Sequence, residues 1–392
     1  MIFFADLHIH IGRAGCGAPV KITASPALTV EGILKECSER KGIQIAGIVD
    51  CASPAVLADL RALVDRGDLT ALPGGGLDYL GKVTLLLGAE IELGGPQGGS
   101  AHFLAFTPSL KTMEELSQFL SGAITNISLS SQRASLEIQE VNEFVVRELS
   151  GIFLPAHAFT PFKSVYGNCV RRLAEIGVDF TALELGLSSD TYLADRIHEL
   201  SNVRFLSNSD AHSLPKIARE YNKLKLIKPD FAHFCKALAG DPENIILANY
   251  GLEPRLGKYH RTFCLKCERV VEGAPPVYQC SRCDSDKVVV GVLDRITAIA
   301  DENEPVHPPN RPPYIHQVPL EFIPGVGKKT LNKLLEAFGT EMEILHGTSL
   351  GELEDVVGTK VAENIAAARE GRLALAEGGG GRYGRVKNHQ EC

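Results

Sequence analysis

The chain has 392 residues, of which 44% are hydrophobic and 22% are charged, and its formal net charge is −8 at pH 7. This length predicts two or more domains, and the apolar content excludes a disordered or collagen-like chain. The negative charge argues against binding of nucleic acid over the whole surface, but it is compatible with a local basic patch.

Neither a membrane span nor an export signal is predicted. No run of about twenty apolar residues occurs. Residues 1–5 lead directly into Asp6 and two histidines, so we expect no signal peptide and a cytoplasmic protein. Four of the ten cysteines form two close pairs and six are scattered, which is typical of a metal site in a reducing compartment.

Short apolar runs alternate with segments of helical spacing through residues 1–250. The runs that predict buried strands are residues 2–4, 43–49, 83–88, 102–106, 152–156 and 203–207. Residues 31–41 and 192–200 are typical of the helices between them. The alternation predicts an α/β fold with a largely parallel sheet or barrel, whose strand ends carry the chemistry.

Histidines and carboxylates recur at the ends of these predicted strands. His8 and His10, at positions i and i+2 of extended chain, point to the same side and can reach one cation. The further candidates are Asp50, Glu90, His102, His157, Asp210 and His212. One histidine at a strand end is more often packed than a ligand, but this converging set suits two or three divalent ions of zinc, manganese, magnesium or iron.

In their order over about the first 215 residues, these motifs resemble those of the PHP (polymerase and histidinol phosphatase) superfamily of metal-dependent phosphoesterases. The resemblance implies a distorted seven-stranded PHP barrel with a metal centre at one mouth. The residues implied for a first ion are His8, His10, Glu90 and Asp210. Glu90 would bridge to a second ion that is also held by His102 and His157.

The sequence departs from the superfamily at the third ion. The superfamily often has a histidine directly after the second-motif aspartate, whereas here Cys51 follows Asp50. It often has another histidine just past the first motif, whereas residues 12–15 are Gly-Arg-Ala-Gly. Only Asp50 and His212 remain for a third ion, so we expect two well-held ions and a weak or absent third.

The chemistry implied by paired ions is hydrolysis of a phosphate ester by an activated water, which needs no protein nucleophile. The residues implied as catalytic are His8, His10, Glu90, His102, His157, Asp210 and His212. Arg13 or Lys163 could neutralise the phosphate, and Asp6 could orient a ligand imidazole from behind.

Two C-x-x-C knuckles, Cys264/Cys267 and Cys280/Cys283, are separated by twelve residues. Two knuckles bring four thiolates into a tetrahedral set, which predicts one structural zinc that stabilises a small module and does not catalyse. Residues 255–287 hold seven basic and four acidic residues, a balance of +3. This balance suits contact with phosphate but equally suits a solvated face around a structural metal.

The C-terminal part of the chain carries a second kind of motif. Residues 301–319 have the composition of a linker and residues 320–376 are helical in pattern. The Pro-Gly-x-Gly-Lys-Lys run at residues 324–329 resembles a helix-hairpin-helix of DNA repair proteins, and a weaker copy surrounds Gly358. In such motifs the backbone amides at a helix start bind a phosphate, and the alternative is a plain helix cap. The predicted DNA-binding residues are Gly325, Gly327, Lys328, Lys329 and Lys360.

A phosphoesterase centre, a zinc module and a hairpin pair in one chain resemble the endonuclease Q family. The resemblance divides the chain into residues 1–250, 251–301 and 302–377, with a flexible tail at 378–392. It implies a metal-dependent DNA repair endonuclease that cuts 5′ of uracil, hypoxanthine, xanthine and abasic sites. The resemblance implies that DNA containing damaged bases is the partner and that the protein does not associate with a membrane.

A damaged base must leave the stack to be recognised, so a pocket is expected beside the metals. The candidate pocket residues are Phe159, Phe162, Lys163, Ser188 and Ser189, although both phenylalanines could equally be core. Two other functions stay open from the sequence: a small-molecule phosphatase of the histidinol phosphate type, and a non-catalytic DNA-binding scaffold.

Overall fold

The computed structural model describes residues 1–373 and 375–386. The first strands are β1 (Ile2–Ile9), β2 (Ile45–Ile48), β3 (Leu69–Ala71), β4 (Leu77–Tyr79), β5 (Val83–Gly94), β6 (Ser100–Thr107), β7 (Ile152–Pro155), β8 (Ala182–Glu184) and β9 (Arg204–Leu206). The later strands are β10 (Tyr221–Lys225), β11 (Ile245–Leu252), β12 (Phe263–Cys264), β13 (Arg269–Val270), β14 (Val288–Val289), β15 (Tyr314–Gln317), β16 (Leu375–Ala376) and β17 (Arg385–Val386). The helices are α1 (Val30–Glu36), α2 (Pro54–Asp65), α3 (Leu110–Ser121), α4 (Ile138–Glu143), α5 (Thr191–Ala194), α6 (Phe231–Ala239), α7 (Val292–Ile299), α8 (Lys328–Phe338), α9 (Glu341–His346), α10 (Leu350–Val357) and α11 (Thr359–Arg369).

The fold is mixed α/β around a central sheet. Among the described residues this sheet has ten strands, in the order β15-β11-β10-β1-β2-β5-β4-β3, with β6 paired to β5 and β7 paired to β6. Strands β1, β2 and β5 are parallel, whereas β10 runs antiparallel to β1, and β6 runs antiparallel to β5. The sheet is therefore mixed and not largely parallel, because the short loop at residues 95–99 can return β6 only in the antiparallel direction. Strands β8 and β9 pair separately, and the seven-stranded barrel stays a prediction.

Both faces of the central strands are buried. In β5, Leu85 and Leu87 belong to one buried apolar cluster and Leu86 belongs to another. Successive side chains of a strand point to opposite faces, so the two clusters cover the two sides of the sheet. This double burial gives the site a rigid base, since close-packed side chains leave the strands little room to move.

Residues 251–301, which we call the four-cysteine module, contain a small sheet in the order β13-β12-β14. Helix α7 joins this module to the main core, because Val292, Ile296 and Ile299 are buried in the larger cluster. The buried carboxylate of Asp294 accepts the backbone N–H groups of Thr262 at 3.0 Å and Val277 at 2.8 Å. The module is thus packed against the main core through α7.

The linker expected at residues 301–319 instead contributes to the sheet. Strand β15 pairs in parallel with β11. Upstream of it, the guanidinium of Arg311 lies 2.7 Å from the carboxylate of Asp195 and 3.7 Å from the ring centroid of Phe205. The composition predicted a loop, but burial of Arg311 and Tyr314 ties the segment down.

Helices α8–α11 enclose their own apolar cluster, which includes Leu334, Ile344, Leu353 and Ile365. They contact residues 1–250, which we call the sheet domain, through the Lys41–Glu341 ion pair at 2.8 Å. We call residues 302–377 the hairpin region.

Residues 378–384, expected to be a flexible tail, form hydrogen bonds in the structure. The amides of Gly378, Gly381 and Gly384 donate to the carbonyls of Arg255, Lys258 and Leu256. The expectation of flexibility for residues 387–392 lies outside the described residues. No helix in the described ranges has the length and apolar character needed to span a bilayer.

Candidate active site

The two histidines of the first motif project from the end of β1. This strand extends further than the sequence predicted, to Ile9, so that His8 lies within it. Nε2 of His8 lies 3.3 Å from Nε2 of His10, so the two imidazoles meet at one place. The i, i+2 spacing thus does what the sequence analysis expected of it.

The other candidates reach the same place from four further elements. Glu90 lies inside β5, and His102 lies in the adjoining strand β6. His157 follows β7 and Asp210 follows β9, with φ angles of 30° and 44°. A positive φ is uncommon outside glycine and indicates that the surroundings hold the backbone in place.

These residues form two groups of three that can each hold a metal ion. The groups are His8, His10 and Asp210, and Glu90, His102 and His157. In each group one donor atom per residue lies within 4.8 Å of the others. Imidazole nitrogens and carboxylate oxygens suit zinc and manganese, so the donor set fits two divalent ions.

Glu90 lies between the two groups. Its Oε1 is 2.8 Å from Nδ1 of His102 and 3.4 Å from Nε2 of His8. Its Oε2 is 3.5 Å from Nε2 of His10. Burial would raise the pKa of this carboxyl, but His102, Lys21 and His10 hold it well below the usual range. An ionised carboxylate that faces both groups is suited to bridge two ions.

Two carboxylates orient the imidazoles of β1 from behind. Glu184, at the end of β8, lies 2.9 Å from Nδ1 of His8 and leaves Nε2 facing the centre. Burial would lower the pKa of His8, but Glu184 and Glu90 outweigh it and raise this pKa well above its usual value. Asp50 orients His10 in the same way, since its Oδ2 lies 3.1 Å from Nδ1 of His10. Such carboxylate–histidine pairs fix the ring that meets a metal.

Glu184 was not among the predicted site residues, although the sequence carries a signal for it. Glu184 ends the apolar run Ala182-Leu183, as Asp50 ends its own run. Asp50, expected as a ligand of a third ion, spends its two oxygens on Nδ1 of His10, the amide of Ile11 and the hydroxyl of Ser130. Both oxygens of Asp50 are thus engaged behind His10.

Asp6 and Arg13 differ from their expected roles. Asp6 is fully buried and accepts the backbone amides of Ser209 and Ala218, so it holds the loop that carries Asp210 and orients no imidazole. Arg13 is exposed and donates to the carbonyl of Gly17 at 3.4 Å. His212 lies beside Asp210, with Nε2 at 3.3 Å from Oδ1.

Arg219 also holds the Asp210 loop. Its guanidinium donates to the carbonyls of Ser209 at 2.7 Å and Asp210 at 3.1 Å. Its third contact is with the hydroxyl of Tyr383 at 2.5 Å. The ligand loop is therefore braced by the C-terminal segment of the chain.

A pocket adjoins the two groups of donors. Its walls are His157, Thr160, Glu184, Gly186, Leu187, Ser188, Asn208, Asp210, Lys258 and Tyr259. Lys258 and Tyr259 come from the four-cysteine module, and the C-terminal glycines hydrogen-bond the loop that carries them. The module thus supplies one side of the pocket.

Some of the predicted pocket residues lie at this pocket and others do not. Ser188 lines the pocket, and Phe162 is 52% exposed with its ring 5.7 Å from that of Tyr259. Phe159 is buried and stacks on Tyr166, which makes it core. Ser189 is also buried and does not line this pocket. Lys163 lies 2.5 Å from Glu92, beside the second group of donors.

The four cysteines converge as the spacing predicted. Cys264, Cys267, Cys280 and Cys283 form a third candidate metal group, in which Cys264 and Cys283 are 3.8 Å apart. The backbone N–H groups of Arg282 and Cys283 lower the pKa of Cys280 to about 7. Amides that favour a thiolate are typical of a cysteine knuckle prepared for a metal ion.

The two hairpin motifs pack against each other. Gly325 has a φ of 90°, and a Cβ there would lie 2.9 Å from Cγ2 of Val361. Asn364 donates to the carbonyl of Pro324 at 2.9 Å. Helices α8 and α11 begin after Gly327 and Gly358, and within the described ranges no side chain caps either start. The amides of two neighbouring helix starts are therefore free to bind phosphate.

Comparisons with known proteins place this geometry in a family. No protein-family model matches the chain. The uncharacterized protein YqxK of Bacillus subtilis (strain 168) is 46% identical over 98% of this chain and 99% of its own length. The crystal structure of the lesion-specific endonuclease PfuEndoQ from Pyrococcus furiosus superposes with a TM-score of 0.83 at 30% identity, over 99% of this chain and 95% of that one.

A second solved structure is endonuclease Q in complex with a 27-mer duplex substrate that has an abasic lesion at the active site. It superposes with a TM-score of 0.84 at 30% identity, over 100% of this chain and 98% of that one. The likeness covers the sheet domain, the four-cysteine module and the hairpin region together. With two candidate metal groups joined by Glu90, the chain is a metal-dependent phosphodiester hydrolase and belongs to the endonuclease Q family.

Proposed function

We propose that this chain is a DNA repair endonuclease that hydrolyses the phosphodiester on the 5′ side of deaminated bases and abasic sites. The deaminated bases are uracil, hypoxanthine and xanthine. The observation that carries the proposal is the pocket that shares His157 and Asp210 with the two donor groups. A base that enters this pocket from the duplex brings its own backbone phosphate to the metal ligands.

The residues proposed to hold the ions are the six of the two donor groups. Two divalent ions held there, of zinc, manganese or magnesium, would supply an activated water and would neutralise charge on the phosphate. Glu184 and Asp50 hold the imidazoles of His8 and His10 in the orientation that ligation needs. Asn208, whose amide donates to Glu184 at 3.0 Å, keeps that carboxylate in place. The chain thereby positions the ligands before DNA arrives, which lowers the reorganisation that the reaction requires.

The pocket walls suit an extruded base. The ring of Tyr259 offers an aromatic face, and the hydroxyl of Ser188 offers a hydrogen-bonding group. Ser188 also accepts the backbone N–H of Tyr259 at 3.2 Å, which couples the two walls. Extrusion costs least where pairing is already weakened, as at a deaminated or abasic site.

The four-cysteine module is proposed to hold one structural zinc, and the hairpin region is proposed to hold the DNA backbone. A closed set of four sulfurs leaves no open position for catalysis. The paired helix starts after Gly327 and Gly358 contact phosphates without reading sequence. Lys328, Lys329 and Lys360 are exposed at these starts and add charge.

The direct test is nicking of defined oligonucleotides. We expect duplexes with one uracil, hypoxanthine or abasic site to be cut once in Mn²⁺ or Mg²⁺, on the 5′ side of the lesion, and the matched undamaged duplex to stay intact. Mapping the product ends by denaturing electrophoresis checks the position. Release of phosphate from histidinol phosphate without nicking of any lesion duplex would instead favour a small-molecule phosphatase.

The hairpin region has its own test. We expect the double change Lys328→Gln and Lys329→Gln to weaken binding of lesion and undamaged duplexes alike, because backbone contacts carry no sequence information. The slope of log Kd against log salt should fall by about two units, one per lost phosphate contact. Fluorescence anisotropy at several salt concentrations measures both.

The matched control for this pair is Lys111→Gln, an exposed lysine on α3. It should leave both affinity and salt slope unchanged. An unaltered slope in the double variant would remove the hairpin starts from the DNA interface.

A further inference from the structure

We propose that the ammonium of Lys21 takes the place of a third divalent ion at this centre and contacts the phosphate that is cut. The inference rests on the proposed two-ion hydrolysis and adds to it a fixed protein cation. Lys21 lies in the loop between β1 and α1 and belongs to none of the sequence motifs.

Lys21 lies beside Glu90, the carboxylate that faces both donor groups. Its Nζ lies 3.0 Å from Oε2 of Glu90, the oxygen that also faces His10. The same ammonium donates to the hydroxyl of Ser131 at 2.5 Å. Glu90 therefore turns one oxygen toward the second donor group and the other toward a protein cation.

The residues around Lys21 do not provide the ligands that a third ion would need. The oxygens of Asp50 are already used by His10, Ile11 and Ser130. His212 has Nδ1 3.2 Å from the hydroxyl of Thr23, which leaves it one nitrogen beside Asp210. A divalent ion in this corner would find few free donors among the described residues and would be repelled by the ammonium.

The loop holds the ammonium rigidly. The backbone N–H of Lys21 donates to the carbonyl of Ile11 at 2.9 Å, directly after the first motif. The carbonyl of Val20 accepts the N–H of Ser130 at 2.9 Å, from the segment that also carries Ser131. A cation fixed in this way needs no reorganisation when charge builds up on the phosphate.

The ammonium is also accessible. The side chain of Lys21 is 14% exposed, whereas that of Glu90 is 1% exposed. Lysine binds phosphate as a compact charge with three donors, of which Glu90 and Ser131 use two. The third donor is left for a phosphate oxygen, and we assign no proton transfer to Lys21.

The experiment compares Lys21→Met with Lys21→Arg in the full-length, metal-loaded protein. Hydrolysis of bis(p-nitrophenyl) phosphate and the metal content by elemental analysis are measured side by side. We expect two ions per chain beyond the cysteine site in the wild type and in both variants. Lys21→Met should lower kcat by about 100-fold, as expected for loss of one charge-stabilising donor, and Lys21→Arg should recover most of it.

Lys111→Met serves as the matched control and should change neither quantity. Three ions beyond the cysteine site in the wild type would overturn the proposal. An unchanged kcat in Lys21→Met would also overturn it. So would a loss of bound ions in proportion to the loss of activity, because Lys21 would then act only by supporting Glu90. The diester contains no lesion, so failure on damaged DNA with this pattern intact would reject the proposed substrate and leave the inference standing.

Discussion

Glu90→Gln is expected to abolish nicking, with a fall in rate of at least about 1,000-fold. Loss of a partner behind a ligand typically costs 10- to 100-fold, and Glu90 is expected to cost more because it faces both donor groups. The change keeps the shape of the side chain and removes its charge. Single-turnover nicking of an abasic duplex measures the rate, and elemental analysis should show loss of one or both ions from the sheet domain.

Binding of the DNA is expected to survive this change, because the hairpin helix starts and the module loop with Lys258 lie outside the donor groups. The matched control is Glu115→Gln on α3, whose exposed carboxylate pairs with Lys111. This control should nick at the wild-type rate. Nicking by Glu90→Gln at that same rate would falsify the metal assignment.

The parts of the site that the sequence predicted share one property, which is that local pattern places them. His8 and His10 follow from alternation along extended chain, and Glu90, His157 and Asp210 come just after predicted apolar runs. The four cysteines follow from the geometry of a knuckle. In each case a few neighbouring residues decide where the side chain points.

The parts that the sequence did not predict depend on contacts between distant segments. Lys21 meets Glu90 and Ser131 across separations of 69 and 110 residues, and no pattern near Lys21 marks it. The pattern at Asp50 indicated a carboxylate at the centre but not which nitrogen of His10 it would face. Phe159 was open between pocket and core, and packing against Tyr166 decided the question.

The fold also has parts that local sequence pattern predicted and parts that depend on contacts between distant segments. Apolar runs located β1, β2, β5, β6 and β7 of the main sheet but not β3, β4, β10 or β11, and β15 lies in a segment whose composition is that of a linker. Its pairing with β11 and the burial of Arg311 against Asp195 are long-range contacts, which a local window cannot register. The direction of β6 follows from the length of one loop, whereas the alternation of strands and helices predicted a largely parallel sheet.

These long-range contacts also join the modules around one site. The loop at residues 255–261 brings Lys258 and Tyr259 to the pocket, and the C-terminal glycines hydrogen-bond that loop. The same loop leads into Phe263 and Cys264, the strand on which the first knuckle is built. Order in the four-cysteine module should therefore affect recognition of the lesion more than the chemistry at the ions.

Cys264→Ser is expected to remove one zinc per chain. It should impair recognition of the lesion while leaving the chemistry at the ions largely intact. Cys264 is fully buried, and in zinc-finger peptides a structural zinc supplies about 10–16 kcal/mol of binding energy that drives folding. Without it, β12 and the loop before it lose their support, so kcat/KM on lesion DNA should fall by about 100-fold or more. Hydrolysis of bis(p-nitrophenyl) phosphate should persist, because the two donor groups lie on the main sheet and its adjoining loops. Cys16→Ser, at an exposed free thiol, is the control and should change neither. Equal loss of both activities would show that the module supports the whole protein and not the pocket alone.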